Sequence, residues 1–484
     1  MAVPTFVQMI ASTTNLYEIY GNTNTANDFE YTLPNAVQAG NALLILCTYD
    51  NGVGGLSFTD NINGSWPAAT ITVENAASLG TYSAAFLLTG ALAGVTTIEA
   101  VFTGSTPAAF QWNIIEYANV TGQNGSHGTA SVAGPNLTTG SFTPTNNNAS
   151  GGNLIVSYFA NNTLTSSTTG PNPWVVDSGH TFLEADMTAY YQATVGGFAH
   201  ATQYFQQNTA AAINPSMTAT GDTTNSYNCL AIALKAGATG NGPPTSGAYV
   251  AKVIHQSITT VTASTTLKLQ IPWTGNLRFI SCFTGQVQTF TSLTDSDSYS
   301  WTNKASAVDD LWAYAANTAA DTNATLSIAL GATGGGNNYT FRSYDIWNAA
   351  TSPYDNYVTN TGYADGATTL NTPSITPVGS RGLTIAGLGL EVGPGLSVTA
   401  PSGAIFDMIA YANEVDQDNY DNADLQGHYY FSSNAAQNWS WTTVSETPNP
   451  YWAYAITFLS ASTAPSMVFN QHFNIPVTAT VKIT

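Results

Sequence analysis

The first 234 residues of this chain contain no lysine and no arginine, although they contain twelve acidic residues. All eight basic residues follow, at Lys235, Lys252, Lys268, Arg278, Lys304, Arg342, Arg381 and Lys482. Nucleic-acid binding depends on phosphate neutralisation by such side chains, and anionic membrane surfaces attract the same groups. The composition therefore argues against both partners. It also leaves trypsin-like proteases no cleavage site in half of the chain, which suits a protein exposed outside cells.

Charged residues of either sign are scarce. They make up 7% of the chain, against roughly 25% in average soluble proteins. Threonine, serine, asparagine, glutamine and tyrosine must therefore cover most of the surface. Hydrophobic residues make up 43% of the chain, which is enough to bury hydrophobic cores. At 484 residues the chain is too long for a single core. These numbers predict several stable domains rather than disorder.

Cysteine is scarce, and catalytic motifs and long apolar runs are lacking. Cys47, Cys229 and Cys282 are far apart without a metal-ligand spacing, so we expect buried free thiols. No P-loop, H-E-x-x-H or G-x-S-x-G motif occurs, and the six histidines are scattered. The longest apolar runs have strand length, so no transmembrane helix is predicted. The start, MAVPTFVQMIAS, lacks the basic segment and apolar core of a secretory signal.

What the chain does contain is a repeat. GNALLILCTYDN at 40–51 recurs as GNLRFISCFTGQ at 275–286, an offset of 235. The same offset relates FTD at 58–60 and Trp66 to LTD at 293–295 and Trp301. Farther on, YSAAFLLTG at 82–90 resembles WAYAANTAA at 312–320, an offset of 230. We therefore predict that a first module, A, recurs as A′.

The segments between these modules match each other as well. FTPTNNNASGGNLIVSYFA at 142–160 parallels ITPVGSRGLTIAGLGL at 375–390, and YNCLAIALKAG at 227–237 parallels YWAYAITFLSA at 451–461. The predicted order is A–B–A′–B′. Its modules are 1–121, 122–237, 248–350 and 351–462, joined in the middle by the proline- and glycine-rich linker 238–247.

Each module has the signals of an all-β fold. Short runs rich in valine, isoleucine, threonine and aromatic residues alternate with asparagine-glycine turns, and no window sustains a helical period. About 110 residues of this kind predict a β-sandwich of immunoglobulin-like or jelly-roll-like type, hence four tandem sandwiches arranged as a duplicated pair. The tail 463–484 alternates like a strand. It could complete a sheet locally or pair with a neighbouring subunit.

Two kinds of candidate binding residue stand out. The segment NEVDQDNYDNADLQ holds the carboxylates Glu414, Asp416, Asp418, Asp421 and Asp424, which fits either a solvated acidic loop or a Ca²⁺ site without the EF-hand spacing. The aromatic candidates for contact with a glycan or receptor are Trp66, Trp301, Tyr429, Tyr430, Trp439 and Trp441. For Trp66 and Trp301 the alternative is packing at the open end of a sandwich, because a repeated position favours packing.

Paired carboxylates could also serve a glycosidase, and Glu116 matches Asp345 between A and A′. Both lie within apolar strand patterns next to aromatic residues. We therefore expect structural acids that cap a turn, and no catalytic residue is assigned.

The A modules resemble β-sandwich repeats of phage virion proteins of the minor tail, fibre or capsid-surface type. The resemblance depends on VQAGNALLI at 37–45, TDNINGSW at 59–66, ALAGVTTI at 91–98 and EYANV at 116–120. In A′, PWTGNLRF keeps only the GNL core, and EYANV has become YDIWN. The resemblance implies a non-enzymatic virion protein, exposed outside cells and assembled with other virion proteins. No catalytic residues follow from it.

Two functions lead at this stage, and an enzyme ranks third. The first is a structural or host-contacting virion component, in a symmetric homo-oligomer that decorates a capsid or forms part of a tail or fibre. The second is an extracellular or cell-surface protein for carbohydrate binding or adhesion, with or without Ca²⁺. A host surface glycan is a candidate partner in either case, and membrane insertion is not expected.

Overall fold

A computed structural model describes most of the chain. The described residues are 3–14, 28–50, 54–74, 80–104, 110–145, 152–161, 174–185, 199–222, 225–238, 240–260, 266–270, 272–284, 290–303, 310–320, 325–330, 337–362, 369–371, 374–391, 396–406, 410–412, 422–443 and 451–461. Within these ranges the chain is all-β, with several sheets and no helix. No helix long and apolar enough to cross a membrane is therefore found among them. The tail predicted at 463–484 lies outside these ranges.

The strands of the first half are short and closely spaced. They are β1 (Thr5–Thr14), β2 (Asp28–Thr32), β3 (Ala42–Asp50), β4 (Leu56–Asp60), β5 (Gly64–Ser65), β6 (Ile71–Glu74), β7 (Thr81–Leu88), β8 (Thr97–Phe102), β9 (Phe110–Ala118), β10 (Val120–Gln123), β11 (Gly128–Ala133), β12 (Asn136–Thr138), β13 (Asn153–Asn161), β14 (Trp174–Val176), β15 (Thr181–Ala185), β16 (His200–Gln207), β17 (Ser216–Ala219) and β18 (Ser226–Ala236).

The second half continues in the same manner. Its strands are β19 (Tyr249–Thr260), β20 (Thr266–Gln270), β21 (Leu277–Thr284), β22 (Phe290–Asp295), β23 (Thr302–Asn303), β24 (Asp310–Ala316), β25 (Thr325–Leu330), β26 (Asn337–Trp347), β27 (Ala349–Gly362), β28 (Thr369–Asn371), β29 (Gly382–Glu391), β30 (Leu396–Thr399), β31 (Ile405–Phe406), β32 (Ala410–Ala412), β33 (Asn422–Phe431), β34 (Ser440–Thr443) and β35 (Tyr451–Ser460).

One ten-stranded sheet runs through both halves of the chain. Its order is β23-β24-β21-β26-β19-β1-β9-β3-β7-β6. The two halves of this central sheet meet where β1 pairs in parallel with β19, with Met9 opposite Lys252 and Thr13 opposite Gln256. The other pairs within the sheet are antiparallel. Residues 1–121 and 248–350 are therefore joined through their backbones.

The six remaining sheets are smaller. In the first half they are β2-β8-β4-β5, the B sheet β10-β18-β13-β16-β15 with β11 beside β18, and β12-β17-β14. In the second half they are β20-β25-β22, the B′ sheet β27-β35-β29-β33-β31 with β32 beside β33, and β28-β34-β30. Each half thus contributes five strands to the central sheet and three further sheets.

The central sheet has a hydrophobic core on both faces, because successive side chains of a strand point in opposite directions. Leu43 of β3 belongs to one core together with Phe58 of β4, whereas Leu44 belongs to a second core together with Val156 of the B sheet. Aromatic contacts strengthen the first core, for example between Phe58 and Phe86 at 4.8 Å. The strands of the first half thus lie between β2-β8-β4-β5 and the B sheet.

In the second half the two faces are exchanged. Phe279 of β21 belongs to the first core and contacts Phe458 of the B′ sheet at 6.0 Å. Ile280 belongs to the second core together with Ile328 of β25. The B sheet and the B′ sheet therefore cover opposite faces of the central sheet. A further core, including Phe159 and Trp174, fills the space between the B sheet and β12-β17-β14.

The linker between the halves is attached at several points. Asn241 and Asn41 exchange two hydrogen bonds, from Asn241 N to Asn41 Oδ1 at 2.8 Å and from Asn41 Nδ2 to Asn241 O at 2.9 Å. Asn348 Nδ2 donates to Pro244 O at 3.1 Å, and Ala248 N donates to Ser460 Oγ at 2.8 Å. The linker 238–247 is rich in proline and glycine and is nevertheless hydrogen-bonded to both halves of the chain.

The strand pairing corrects one detail of the sequence repeat. Opposite Cys47 lies Ala84, whereas opposite Cys282 lies Leu311, an offset of 227 rather than 230. The turn that follows agrees, since Gly90 and Asn317 both have positive φ, at 66° and 56°. The prediction that WAYAANTAA aligns with YSAAFLLTG is therefore out of register by three residues.

Candidate functional site

Trp66 and Trp301 are held by aspartates of the repeated strand. Trp66 Nε1 donates to Asp60 Oδ2 at 2.7 Å, and Trp301 Nε1 donates to Asp295 Oδ2 at 2.7 Å. Asp60 also accepts the N–H groups of Ile62 at 2.8 Å and Asn63 at 2.5 Å. The carboxylate thus closes the turn and fixes the ring. Trp66 is only 8% exposed, whereas Trp301 is half-buried.

The second copy of this site contains a cation. The guanidinium of Arg278 lies 4.7 Å from the ring centroids of both Trp273 and Tyr299. It also contacts Asp295 at 3.7 Å and donates to Asp297 at 3.1 Å. In the first half the residue at the corresponding place on β3 is Leu43. A buried cation–π stack thus takes the place of a leucine.

The aromatic candidates in 428–441 are divided between two sheets. Tyr429 and Tyr430 lie on β33 and are half-buried, whereas Trp439 is buried next to β34. The backbone of Trp441 on β34 pairs with Leu370 and Val398. The Tyr430 hydroxyl makes two hydrogen bonds within the chain, since it donates to Asn35 Oδ1 and accepts from Val250 N.

Most of the acidic segment lies outside the described residues. Glu414, Asp416, Asp418 and Asp421 are in that part of the chain. Asp424 belongs to β33, where its backbone pairs with Gly389 and Ala410. Within the described ranges no group of three or more metal-ligating side chains occurs. The calcium hypothesis for this segment stays a prediction.

Glu116 and Asp345 occupy corresponding places and bind the turns that precede β3 and β21. Glu116 Oε1 accepts from Gln38 N at 3.0 Å, and Asp345 Oδ1 accepts from Gly275 N at 2.6 Å. Burial raises the pKa of Glu116, while hydrogen bonds from Gln38 and Gln8 oppose the shift. Their contacts are those of turn-capping acids.

Sequence reasoning missed two buried polar clusters that join the central sheet to its neighbours. The Glu184 cluster, between β9 and the B sheet, consists of Glu184, His200, Thr202, Gln111 and Asn113. Glu184 Oε1 accepts from Asn113 Nδ2 at 2.8 Å and Thr202 Oγ1 at 3.0 Å. His200 lies 3.1 Å from the same oxygen and 2.5 Å from Gln111 Oε1.

The Arg342 cluster joins the central sheet to the B′ sheet and consists of Arg342, His255, Ser281, Gln426 and Tyr454. Arg342 Nε donates to His255 Nδ1 at 3.0 Å, which requires that nitrogen to be unprotonated. Gln426 Oε1 accepts from Ser281 Oγ at 2.9 Å, and Gln426 Nε2 donates to Tyr454 at 2.5 Å. Burial, followed by the charge of Arg342, lowers the pKa of His255 well below its ordinary value.

Lys252 joins both halves from inside the molecule. Its Nζ donates to Pro272 O at 3.2 Å and to Leu183 O of β15 at 3.3 Å. Burial lowers the pKa of this amine, and the nearby carboxylates of Asp345 and Glu184 oppose the shift. The amino group therefore acts as an interior cross-link between β19, the turn before β21 and the B sheet.

The sequence signal for these clusters was present but weak. Gln111 and Asn113 flank Trp112 in β9, and His200 and Thr202 flank Ala201 in β16, so polar side chains alternate within buried strands. Such alternation predicts a half-exposed strand. Here the polar face is instead covered by a second sheet, and buried polar groups need partners.

Taken together, these groups hold sheets and turns in place. Each cluster supplies donors and acceptors that match in only one relative position of two sheets, which gives the packing a defined register. No protein-family model matches the chain, and no curated protein matches it in sequence.

Proposed function

We propose that this chain is a non-enzymatic structural protein of a virus particle, placed in a tail, a fibre or the capsid surface. The observation that carries the proposal is the ten-stranded sheet shared by both halves. Such a sheet, with cores on both faces, forms one mechanical unit. Any force applied to one half passes through backbone hydrogen bonds to the other.

Within this proposal the chain is a duplicated pair of β-sandwich modules in the order A–B–A′–B′. The pairing registers support the duplication: Cys47 lies opposite Trp112 and Cys282 opposite Phe341. The B modules agree, since Asn153 lies opposite Lys235 and Gly382 opposite Leu459. The two five-stranded parts of the central sheet have the same strand order outward from β1 and β19.

Contacts between distant segments add to the argument. His428 Nε2 lies 2.7 Å from Pro34 O, and Gln270 exchanges two hydrogen bonds of 3.0 Å with the backbone of Trp174. The B′ sheet thus binds the first half, while β14 binds β20 of the second half. Such crossed contacts favour a stiff part of an assembly over modules that move independently.

The expected partners are further copies of this chain in a symmetric oligomer and other virion proteins. Low surface charge and the scarcity of cations suit a protein exposed on a particle. Host contact through a surface glycan belongs to the same proposal, with Tyr429 and Trp441 as the residues to be tested, because Trp439 is buried.

The direct test is localisation on particles from the source culture. Antibodies against the purified chain are applied to particles banded in a density gradient, before and after a high-salt wash. We expect the protein to band with the particles at a constant ratio to the major capsid protein, and gold labelling to mark one location. Recovery only in the cell-envelope or soluble fraction would contradict the proposal. Glycan binding by that fraction would favour the adhesion alternative.

A further inference from the structure

Strands contain almost all the basic residues that the structure describes. Lys235 lies in β18, Lys252 in β19, Lys268 in β20, Arg278 in β21 and Arg342 in β26. The sixth, Arg381, directly precedes β29, and its carbonyl accepts a hydrogen bond from Ser460 N at 3.2 Å. The remaining two, Lys304 and Lys482, lie outside the described residues.

Several of these residues lie in strands that pair with a neighbouring strand on both sides. Lys235 lies opposite Asn153 on one side and Gly122 on the other. The same holds for Lys252, Arg278 and Arg342, which belong to the inner strands of the central sheet. A protease that cuts after such a residue needs the neighbouring residues in its own cleft, so the strand must first leave the sheet.

Three of these side chains are also inaccessible. Lys252 is 1% exposed, and Arg278 and Arg342 are fully buried. Each also has hydrogen-bond partners within the chain: the carbonyls of Leu183 and Pro272 for Lys252, Asp297 for Arg278, and His255 for Arg342. The charge that a trypsin-like specificity pocket recognises is therefore hidden in the folded state.

We infer that the folded protein withholds Lys235, Lys252, Arg278 and Arg342 from proteases that cleave after lysine and arginine, so that its central sheet survives in a medium that contains them. The first 234 residues offer such an enzyme no bond to cut. Four of the six described basic residues, Lys235, Lys252, Arg278 and Arg342, offer bonds that are protected by strand pairing on both sides. Lys268 lies in the outer strand β20, and Arg381 is exposed before β29. Cleavage at the four protected residues requires an opening with a free energy close to that of global unfolding, because core strands open last.

The test is a time course of trypsin digestion on the native full-length chain, followed by intact-mass spectrometry. We expect no early cleavage after Lys235, Lys252, Arg278 or Arg342, and a urea-unfolded sample to be cut after all eight basic residues. Early cleavage of the native chain after Lys235, Lys252, Arg278 or Arg342 would overturn the inference.

A matched pair of threonine variants tests the cause of the resistance. Thr209→Lys places a cation in the exposed irregular segment after β16, and Thr129→Lys places one at an exposed position inside β11. Exposed loops are preferred sites of nicking. We expect cleavage after residue 209 to be at least about tenfold faster than after residue 129. Equal rates would show that strand pairing gives no protection.

Discussion

The hydroxyl of Tyr430 donates a hydrogen bond of 2.7 Å to Oδ1 of Asn35, a residue 395 positions earlier in the chain. The same hydroxyl accepts from Val250 N at 2.9 Å, and Asn35 Nδ2 donates to Val250 O at 2.7 Å. Three segments, before β3, at the start of β19 and in β33, are thereby closed into one ring of hydrogen bonds. This ring joins the B′ sheet to both halves of the chain.

Removing that hydroxyl is expected to destabilise the whole molecule. Tyr430→Phe leaves Asn35 Oδ1 and Val250 N without their partner, and an unsatisfied buried polar group costs about 1–3 kcal/mol. Urea unfolding followed by circular dichroism measures the loss. Tyr429→Phe, at the adjacent half-buried position of the same strand, serves as the control. An equal effect of both variants would contradict a specific role for Tyr430.

Acid is expected to weaken the contact between the central sheet and the B′ sheet through His255. Its pKa is lowered in the folded state, so the unfolded chain binds a proton more readily. This contribution is absent above the unfolded-state value, near pH 6.5. Below it, stability decreases as the pH falls, by up to about 1.4 kcal/mol per pH unit until the folded-state pKa is reached.

The measurement compares wild type with His255→Gln, whose side chain can still accept from Arg342. Unfolding free energies at several pH values between neutral and mildly acidic give the two slopes. We expect a shallower slope for the variant below pH 6.5. Identical slopes would show that His255 does not contribute to acid sensitivity.

Asp60 is expected to contribute to the stability of the first half of the chain. In Asp60→Asn the side-chain oxygen can still accept from the N–H groups of the turn. The NH₂ group then faces Trp66 Nε1, so that two donors oppose each other. We expect a loss of about 1–3 kcal/mol and a changed tryptophan emission. Glu30→Gln, exposed on β2 of the same sheet, should change stability by less than about 0.5 kcal/mol. Unchanged stability and tryptophan emission in Asp60→Asn would show that the hydrogen bonds of Asp60 to the turn and to Trp66 do not stabilise the fold.

Local sequence was sufficient for the all-β class and for the two strands that carry Cys47 and Cys282. The structure also explains the FTD and LTD motifs, because their aspartates accept hydrogen bonds from Trp66 and Trp301. These features depend on residues that are near each other in the chain. Alternation and turn residues report them directly.

Long-range pairing could not be read in the same way. Nothing within Thr5–Thr14 or Tyr249–Thr260 specifies that β1 and β19 pair with each other, because strand pairing depends on packing against distant elements. Side-chain similarity also misled the alignment of β7 with β24 by three residues. The polar clusters were missed because alternating polar residues indicate a strand face exposed to solvent. In the structure a second sheet covers that face.

The central claim is that both halves form one structural unit through the ten-stranded sheet. Native-state hydrogen exchange in low concentrations of denaturant tests it most directly, by comparing amides of β9 and β3 with those of β26 and β21. We predict that both sets exchange through one common opening with the same free energy and denaturant dependence. If one half opened at a clearly lower free energy while the other stayed protected, the chain would consist of two independent units.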